Sequence, residues 1–249
     1  MKKTLIALIA LAGVASAYDV WTLNPLTAKS TGTVTTTDVT INIEGFTQTP
    51  TTAITYVDGS YHYVAAPTGF DFSTGSGATS NAFTLMTYVN FSSLEKDELF
   101  IFGTGSDNAG GTAFNYVRKN LSLSQKTKSH NESTGVELTA NTWYHVALAY
   151  DGSDNSLDVF VNGVLKNTVT LGTEYVAPTG TNLYFGSAST NGSQDDFAGS
   201  IAQFQIVHGA ALNATEIKTI ANTPVIPEPT TATLSLLALA GLAARRRRK

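Results

Sequence analysis

The sequence has no cysteine, which excludes disulfide bonds, thiol nucleophiles and metal sites built from thiolates. Charged residues make up only 14% of the 249 positions. Positions 18–222 contain 8 basic and 18 acidic residues, a formal charge of −10, and the basic residues are dispersed. Because binding to nucleic acid needs a concentrated basic patch, we do not expect it as a partner. Stability has to come from an apolar core.

The most informative stretch runs from Asn141 to Gly163. Trp143 to Tyr150 is almost entirely apolar, aromatic or small and stops at a turn pair, Asp151-Gly152. This pattern predicts a strand buried on both faces. Ser156 to Val161 alternates apolar and other residues and meets Asn162-Gly163, which favours a two-residue hairpin turn with both central residues at positive φ. Val164 to Thr170 is predicted to return as a third strand.

Several short motifs along the chain resemble the signature of laminin-G-like domains in the concanavalin A-like lectin/glucanase superfamily. They are Trp143, His145-Val146-Ala147, Tyr150-Asp151-Gly152, Val161-Asn162-Gly163, Asn182 to Gly186, Phe197 to Val207 and Ala211 to Ile217. The resemblance implies an all-β fold, a jelly-roll sandwich of two antiparallel sheets over residues 18–222. It also implies that Trp143 and Tyr150 lie in the core and that His145 is a packed, hydrogen-bonded structural residue.

Further strands follow from alternation of apolar and polar residues. The clearest is Phe83 to Phe91, with Phe83, Leu85, Val89 and Phe91 on one face. The same reasoning predicts a half-buried strand over Val34 to Ile43 and a hairpin in which Asp58-Gly59-Ser60 joins Tyr56-Val57 to Tyr61-His62-Tyr63. Near the end, Asn213 and Glu216 are spaced as a capping box for a short helix that places Ile217 and Ile220 inward.

The first 17 residues predict a signal peptide. Two lysines precede an apolar stretch from Leu5 to Val14, and Ala15-Ser16-Ala17 has the small-x-small pattern of a signal-peptidase site. The apolar stretch is short for a membrane anchor, which needs about 20 residues. We therefore expect export, with cleavage between Ala17 and Tyr18.

Residues 223–249 resemble the PEP-CTERM sorting signal of Gram-negative bacteria. Pro227-Glu228-Pro229 precedes an apolar segment from Thr230 to Ala244, and the chain ends with Arg245, Arg246, Arg247, Arg248 and Lys249. The resemblance implies an apolar transmembrane helix that holds the protein transiently in the inner membrane, with the basic tail as its membrane stop. It also implies processing by an exosortase and transfer to the cell surface, outer membrane or extracellular matrix. A plain tail anchor is the alternative interpretation.

The candidate ligand residues are aromatic. Tyr61, His62 and Tyr63 could form a stacking platform, because an aromatic ring suits the apolar face of a sugar. Such residues also pack within sheets without any ligand. The sequence leaves both interpretations open.

Calcium is the candidate metal, since aspartate, asparagine and loop carbonyl oxygens are its usual ligands. The candidate loops contain Asp107-Asn108, Asp151 to Asn155, and Asp195 with Asp196. Asp195 and Asp196 are favoured because adjacent carboxylates repel each other unless they are solvated or bound to a metal. Aspartate and asparagine are also common in turns that bind no metal.

Glycoside hydrolases of the same superfamily use an E-x-D-x-(x)-E pattern, and a pair of carboxylates does their chemistry. The nearest approach is Glu95-Lys96-Asp97-Glu98, which is followed by Leu99 and Phe100 where the last carboxylate should stand. We expect this cluster in a solvated turn before a strand, and no catalytic activity. The leading hypothesis is a surface-displayed protein that binds glycan or extracellular polymer. A secreted glycoside hydrolase or polysaccharide lyase and a structural matrix or envelope component are the alternatives.

Overall fold

The computed structural model describes residues 19–22, 29–46, 51–57, 59–65, 72–74, 79, 81–95, 102–103, 115–117, 119–121, 123–125, 134–172, 182–187 and 197–222. The predicted signal peptide with its cleavage site, the sorting motif and the basic tail lie outside these ranges. So do Asp107, Asn108, Asp195 and Asp196. Those predictions therefore stay predictions.

Two antiparallel sheets build the described fold, as the sequence predicted. The larger sheet has eight strands, with most of them in the order β12-β11-β10-β6-β14-β4-β3 and with β1 paired to β14. Its strands are β1 (Asp19–Thr22), β3 (Val34–Val39), β4 (Thr51–Tyr56), β6 (Ala82–Phe91), β10 (Tyr144–Asp151), β11 (Ser156–Val161), β12 (Val164–Thr170) and β14 (Gly199–His208).

The smaller sheet has six strands in the order β2-β5-β13-β7-β8-β9. They are β2 (Lys29–Thr31), β5 (Tyr61–Ala65), β7 (Phe102–Gly103), β8 (Asn115–Val117), β9 (Leu123–Gln125) and β13 (Asn182–Phe185).

The main core lies between the sheets, because side chains of β6 and β10 from the larger sheet and β13 from the smaller one belong to one buried cluster. The alternation predicted for β6 is confirmed, since Phe83 and Phe91 enter this cluster whereas Met86 and Tyr88 face the other way. β10 is buried on both faces, as predicted, and Tyr150 is fully buried. Asn162 and Gly163 both have positive φ, so the predicted hairpin turn is also confirmed.

The outer face of the larger sheet is covered by helix α1 (Ala214–Ala221) and by residues 41–46. The side chain of Asn213 accepts hydrogen bonds from Thr215 and Glu216, and Glu216 closes the predicted capping box. Thr84 fixes the segment that leads into α1. Its hydroxyl donates to the carbonyl of Ala210 (3.0 Å) and accepts from the amide of Leu212 (2.9 Å).

Within the described ranges, no helix combines the length and the apolar character that a membrane crossing requires.

Three sequence expectations were wrong. The segments flanking Gly59 do not form a hairpin, because β4 belongs to the larger sheet and β5 to the smaller one. β3 ends at Val39, and the chain then turns so that Ile41 packs on the outer face and Phe46 bridges back to Ile43. Trp143 is only half-buried and packs beside the cluster formed by these covering residues instead of entering the main core.

β12 forms one edge of the larger sheet, and nearly all of its side chains are exposed. Its register against β11 shifts by one residue. Val159 pairs with Asn167 and Phe160 pairs with Leu165, so Lys166 is an extra residue in a β-bulge.

Candidate functional site

The predicted platform of Tyr61, His62 and Tyr63 lies on β5, where successive side chains point to opposite faces. His62 points inward. Its ring stacks on Phe185 (4.9 Å between centroids) and on Tyr56 (5.3 Å), which both belong to the main core. The structure therefore separates His62 from its two neighbours, and a shared platform of all three side chains does not form.

The two tyrosines meet a third ring on the outer face of the smaller sheet. Tyr184 of β13 pairs directly with Tyr63, and its ring lies 5.5 Å from that of Tyr63 and 6.1 Å from that of Tyr61. Tyr184 is fully buried and Tyr61 is 7% exposed, whereas Tyr63 is half-buried. Tyr63 is thus the ring of this outer tyrosine cluster that is most accessible to a ligand.

Sequence reasoning missed Tyr184 as a site residue. The segment that contains it was identified only as a strand. The link to Tyr63 depends on the register between two strands far apart in the chain. The one available signal was that Tyr184, like Tyr61 and Tyr63, is an aromatic residue within a predicted strand.

His62 and Tyr56 form a buried hydrogen-bonded pair, through the Tyr56 hydroxyl and Nδ1 of His62. Burial lowers the pKa of His62 to about 4 and raises the pKa of Tyr56 well above its ordinary value. Both groups are consequently neutral near neutral pH. A neutral pair enclosed between the sheets contributes to packing and is not accessible to a substrate.

His145 lies on β10, packed against the residues that cover the larger sheet. Its ring stacks on Phe46 (4.6 Å) and meets Tyr88 edge to face (4.9 Å). The predicted packing is confirmed, but Nδ1 has no hydrogen-bond partner among the described residues. Burial lowers the pKa of His145 to about 3, so the imidazole is neutral.

The carboxylate cluster predicted before β7 is described only at Glu95, which is exposed after the end of β6. Its backbone amide donates to the hydroxyl of Ser93 (3.3 Å). This exposure agrees with the predicted solvated turn. The rest of the cluster, including Glu98, lies outside the described ranges.

Of the predicted calcium loops, only Asp151 to Asn155 is described. Asp151 accepts a hydrogen bond from the amide of Ser153 (2.8 Å), and Asp154 accepts one from the amide of Ser156 (3.0 Å). Hydrogen bonds from Ser156 lower the pKa of Asp154. These carboxylates stabilise the turn itself. In the part of the chain that the structure describes, no three histidine, aspartate or glutamate side chains are grouped to hold a metal.

Asn155 joins this loop to the end of β12. It has a positive φ of 59°, and its side-chain amide donates to the carbonyls of Leu171 (2.6 Å) and Gly172 (3.0 Å). Its side-chain oxygen accepts from the Tyr150 hydroxyl (3.0 Å). The polar atoms of Asn155 are therefore engaged in holding the sandwich together.

A family model described as the concanavalin A-like lectin/glucanases superfamily matches residues 58–218. No curated protein matches the chain in sequence.

Several solved structures are similar to this chain at low sequence identity. Domain 4 of AbnA, a GH43 extracellular arabinanase from Geobacillus stearothermophilus, in complex with arabinotriose, is similar with a TM-score of 0.52 and 17% identity, over 77% of this chain and 82% of that one. A heptameric SAP-like pentraxin from Limulus polyphemus has a TM-score of 0.39 and 18% identity, over 65% and 80%. The botulinum neurotoxin serotype G binding domain has a TM-score of 0.48 and 13% identity, over 78% and 46%.

Proposed function

This chain belongs to the concanavalin A-like lectin/glucanases superfamily, and from that membership we propose that it binds glycan or another extracellular polymer without catalysis. From the sequence patterns at its two ends we propose that it is exported and displayed on the cell surface. The observation that carries the proposal is the outer tyrosine cluster, where the half-buried ring of Tyr63 packs against the buried Tyr184 of the neighbouring strand, outside the main core. Aromatic rings bind the apolar faces of sugars. The arabinanase domain supports a saccharide ligand, because its structure is a complex with arabinotriose on a similar fold.

Replacing Tyr63 with alanine is expected to weaken binding to a responsive glycan on an array about tenfold, which corresponds to about 1.4 kcal/mol. Tyr63 is half-buried, so the change removes contact area for the ligand without opening the main core. Tyr144→Ala is the control for the general effect of losing a half-buried tyrosine, because Tyr144 lies on the larger sheet and packs beside the main core. Equal losses in both variants would argue against a site at the tyrosine cluster.

A hydrolase or lyase would cleave the polysaccharides that it binds. Release of reducing ends from a panel of polysaccharides, abolished by Glu95→Gln or Glu98→Gln, would favour catalysis over simple binding. If the array and the hydrolysis assays are both negative, the structural matrix or envelope role is favoured.

The proposal includes processing at both ends. We expect the mature protein from the native host to begin near Tyr18, after signal-peptide cleavage, and to end near Pro227 to Pro229. The basic tail is costly to move across hydrocarbon and stays cytoplasmic, which leaves Pro227 to Pro229 on the periplasmic side, where an exosortase can cleave. Intact-mass measurement tests this directly. Replacing Pro227, Glu228 and Pro229 with alanine is expected to abolish the C-terminal truncation. A surface form that still carries Arg245 to Lys249 would contradict processing by an exosortase.

A further inference from the structure

Three partly exposed apolar side chains border one buried cluster on the outer face of the larger sheet. Val39, Ile43 and Trp143 are each half-buried, and all three pack against the cluster that contains Phe46. Val39 ends β3, Ile43 belongs to the residues that cover the sheet, and Trp143 immediately precedes β10. These three side chains, the Trp143 patch, therefore offer apolar surface contributed by separate parts of the chain.

The last described residues lie beside the Trp143 patch. Ala221, the last residue of α1, is buried in the same cluster on which the patch packs. The side-chain amide of the next residue, Asn222, donates to the carbonyl of Gly45 (3.1 Å). Gly45 is only two residues from Ile43, a separation of at most about 7 Å along the backbone. The chain thus leaves the described fold from a point next to the patch.

The segment that follows Asn222 has a composition that suits such a patch. It reads TPVIPEP, in which Pro224 and Pro227 have the spacing P-x-x-P and enclose Val225 and Ile226. Proline fixes φ and favours the extended polyproline II conformation, and P-x-x-P segments bind grooves lined by aromatic side chains. Ile226 is four residues beyond Asn222, so its reach of up to about 14 Å includes the patch.

A tethered segment has an advantage over any free partner of the patch. A short tether gives an effective concentration in the millimolar range, so that even a weak contact is occupied. The patch contains no charged side chain, and Val225 and Ile226 are the apolar residues that the tether brings nearest to it. Both observations favour this segment over a second copy or a membrane surface as the occupant.

We propose that residues 223–229 dock on the Trp143 patch, with Val225 and Ile226 against Trp143. Docking holds the Pro-Glu-Pro motif against the folded domain. The predicted transmembrane segment begins at Thr230, directly after this motif, so docking also brings this face of the domain to the membrane surface. The effect on processing rests on the function proposed above: a docked motif is shielded by the domain, and cleavage requires its release.

Because the chain has no cysteine, disulfide cross-linking in the purified full-length protein tests the docking directly. Two cysteines form a disulfide only when their Cα atoms approach within about 7 Å. Ile43→Cys, combined with Val225→Cys or with Ile226→Cys, is expected to cross-link within one chain at least tenfold faster under mild oxidation than Glu44→Cys in the same combinations. Glu44 is the matched control, because it is adjacent to Ile43 and exposed but does not belong to the patch.

Quenching of tryptophan fluorescence by acrylamide gives a second readout. The chain has two tryptophans, so Trp21→Phe leaves Trp143 as the only one. In that background, Val225→Ser with Ile226→Ser is expected to raise the quenching of Trp143 at least twofold. Leu236→Ser with Leu237→Ser, which removes apolar surface from the predicted transmembrane segment, is the control and is expected to leave the quenching unchanged.

Several results would overturn the proposal. Equal cross-linking of the Ile43 and Glu44 variants, or quenching that is unchanged by the substitutions at Val225 and Ile226, would show that the segment does not dock. A disulfide-linked dimer of the single variant Ile43→Cys would identify a second copy as the occupant. Quenching that rises only in the Leu236 and Leu237 variant would identify the detergent or membrane surface.

The effect on processing is measured separately in the native host. The variant Val225→Ser with Ile226→Ser is expected to undergo C-terminal truncation at least twofold faster than the wild type, because its motif is no longer shielded. An unchanged rate would contradict the shielding. If neither protein is truncated, the processing proposed above is wrong, while the cross-linking rates still decide whether the segment docks.

Discussion

Lowering the pH from about 7 to about 4 is expected to reduce the free energy of unfolding of this protein by about 6 kcal/mol, with about 3 kcal/mol from each of two buried histidines. Burial lowers the pKa of His62 to about 4 and that of His145 to about 3. Because small domains are stable by only about 5 to 15 kcal/mol, a loss of this size brings the protein close to unfolding.

The direction follows from the proton uptake of the two states. In the unfolded chain both histidines have a pKa of about 6.5 and take up a proton below that value, whereas the folded protein keeps them neutral. The stabilisation is therefore fully present above pH 6.5 or so. It is lost as the pH falls, towards about 4 for His62 and about 3 for His145.

Urea unfolding at a series of pH values measures this effect. His62→Phe and His145→Phe keep an aromatic ring among aromatic neighbours but cannot titrate, so each is expected to reduce the pH-dependent loss by about 3 kcal/mol. His62→Phe also removes the partner of the buried Tyr56 hydroxyl, which costs about 1 to 3 kcal/mol at every pH. The slope against pH is thus the informative quantity. His208→Phe, which changes a half-buried histidine, is the control. If the variant that combines His62→Phe and His145→Phe keeps the wild-type dependence of the unfolding free energy on pH, the prediction is refuted.

Replacing Gly199 with alanine is expected to destabilise the protein by at least about 4 kcal/mol, among the largest effects of single substitutions. Gly199 begins β14 at a φ of 149°, a conformation that favours glycine. A β-carbon there would overlap the carbonyl oxygen of Asn90 and lie 3.0 Å from the Cα of Phe91. Both atoms belong to the backbone of β6, so no side chain can rotate away. β14 and β6 would have to separate.

Gly209, just after the other end of β14, provides the matched control. It also has a positive φ, 86°, but nothing lies within 4 Å of an added β-carbon. Gly209→Ala is therefore expected to cost only the strain of the left-handed conformation, about 1 to 2 kcal/mol. Urea unfolding of the two variants compares the cost of the backbone conformation alone with its cost plus the clash with β6. Similar losses for both would show that backbone conformation, and not the clash with β6, determines the cost.

The central strands were predictable because the burial of each face leaves a clear pattern of apolar residues in the sequence. In β6 the alternation of large apolar residues was unambiguous, and in β10 a long apolar run required burial on both faces. The turn at Asn162 and Gly163 was equally clear, since only a few residues accept positive φ at both positions.

The segment around Gly59 shows what local sequence cannot decide. Its turn residues suit a hairpin, yet the same residues also suit a corner at which the chain passes from one sheet to the other. The decisive interaction is distant, because Tyr56 and His62 stack against each other inside the sandwich from opposite sheets. For the candidate site, the aromatic residues of β5 could be singled out, but their pairing with Tyr184 depends on a strand register that no short pattern encodes.

The bulge at Lys166 has a consequence for molecules held side by side at high local concentration. A regular edge strand is a template on which a neighbouring chain can extend the sheet, and repeated extension leads to aggregates. In β12 the extra residue interrupts the regular spacing of backbone donors and acceptors, and a lysine occupies that position. Copies at high concentration can therefore expose Val164 and Leu165 on this edge, at 52% and 47%, while their sheets resist joining into a continuous fibre.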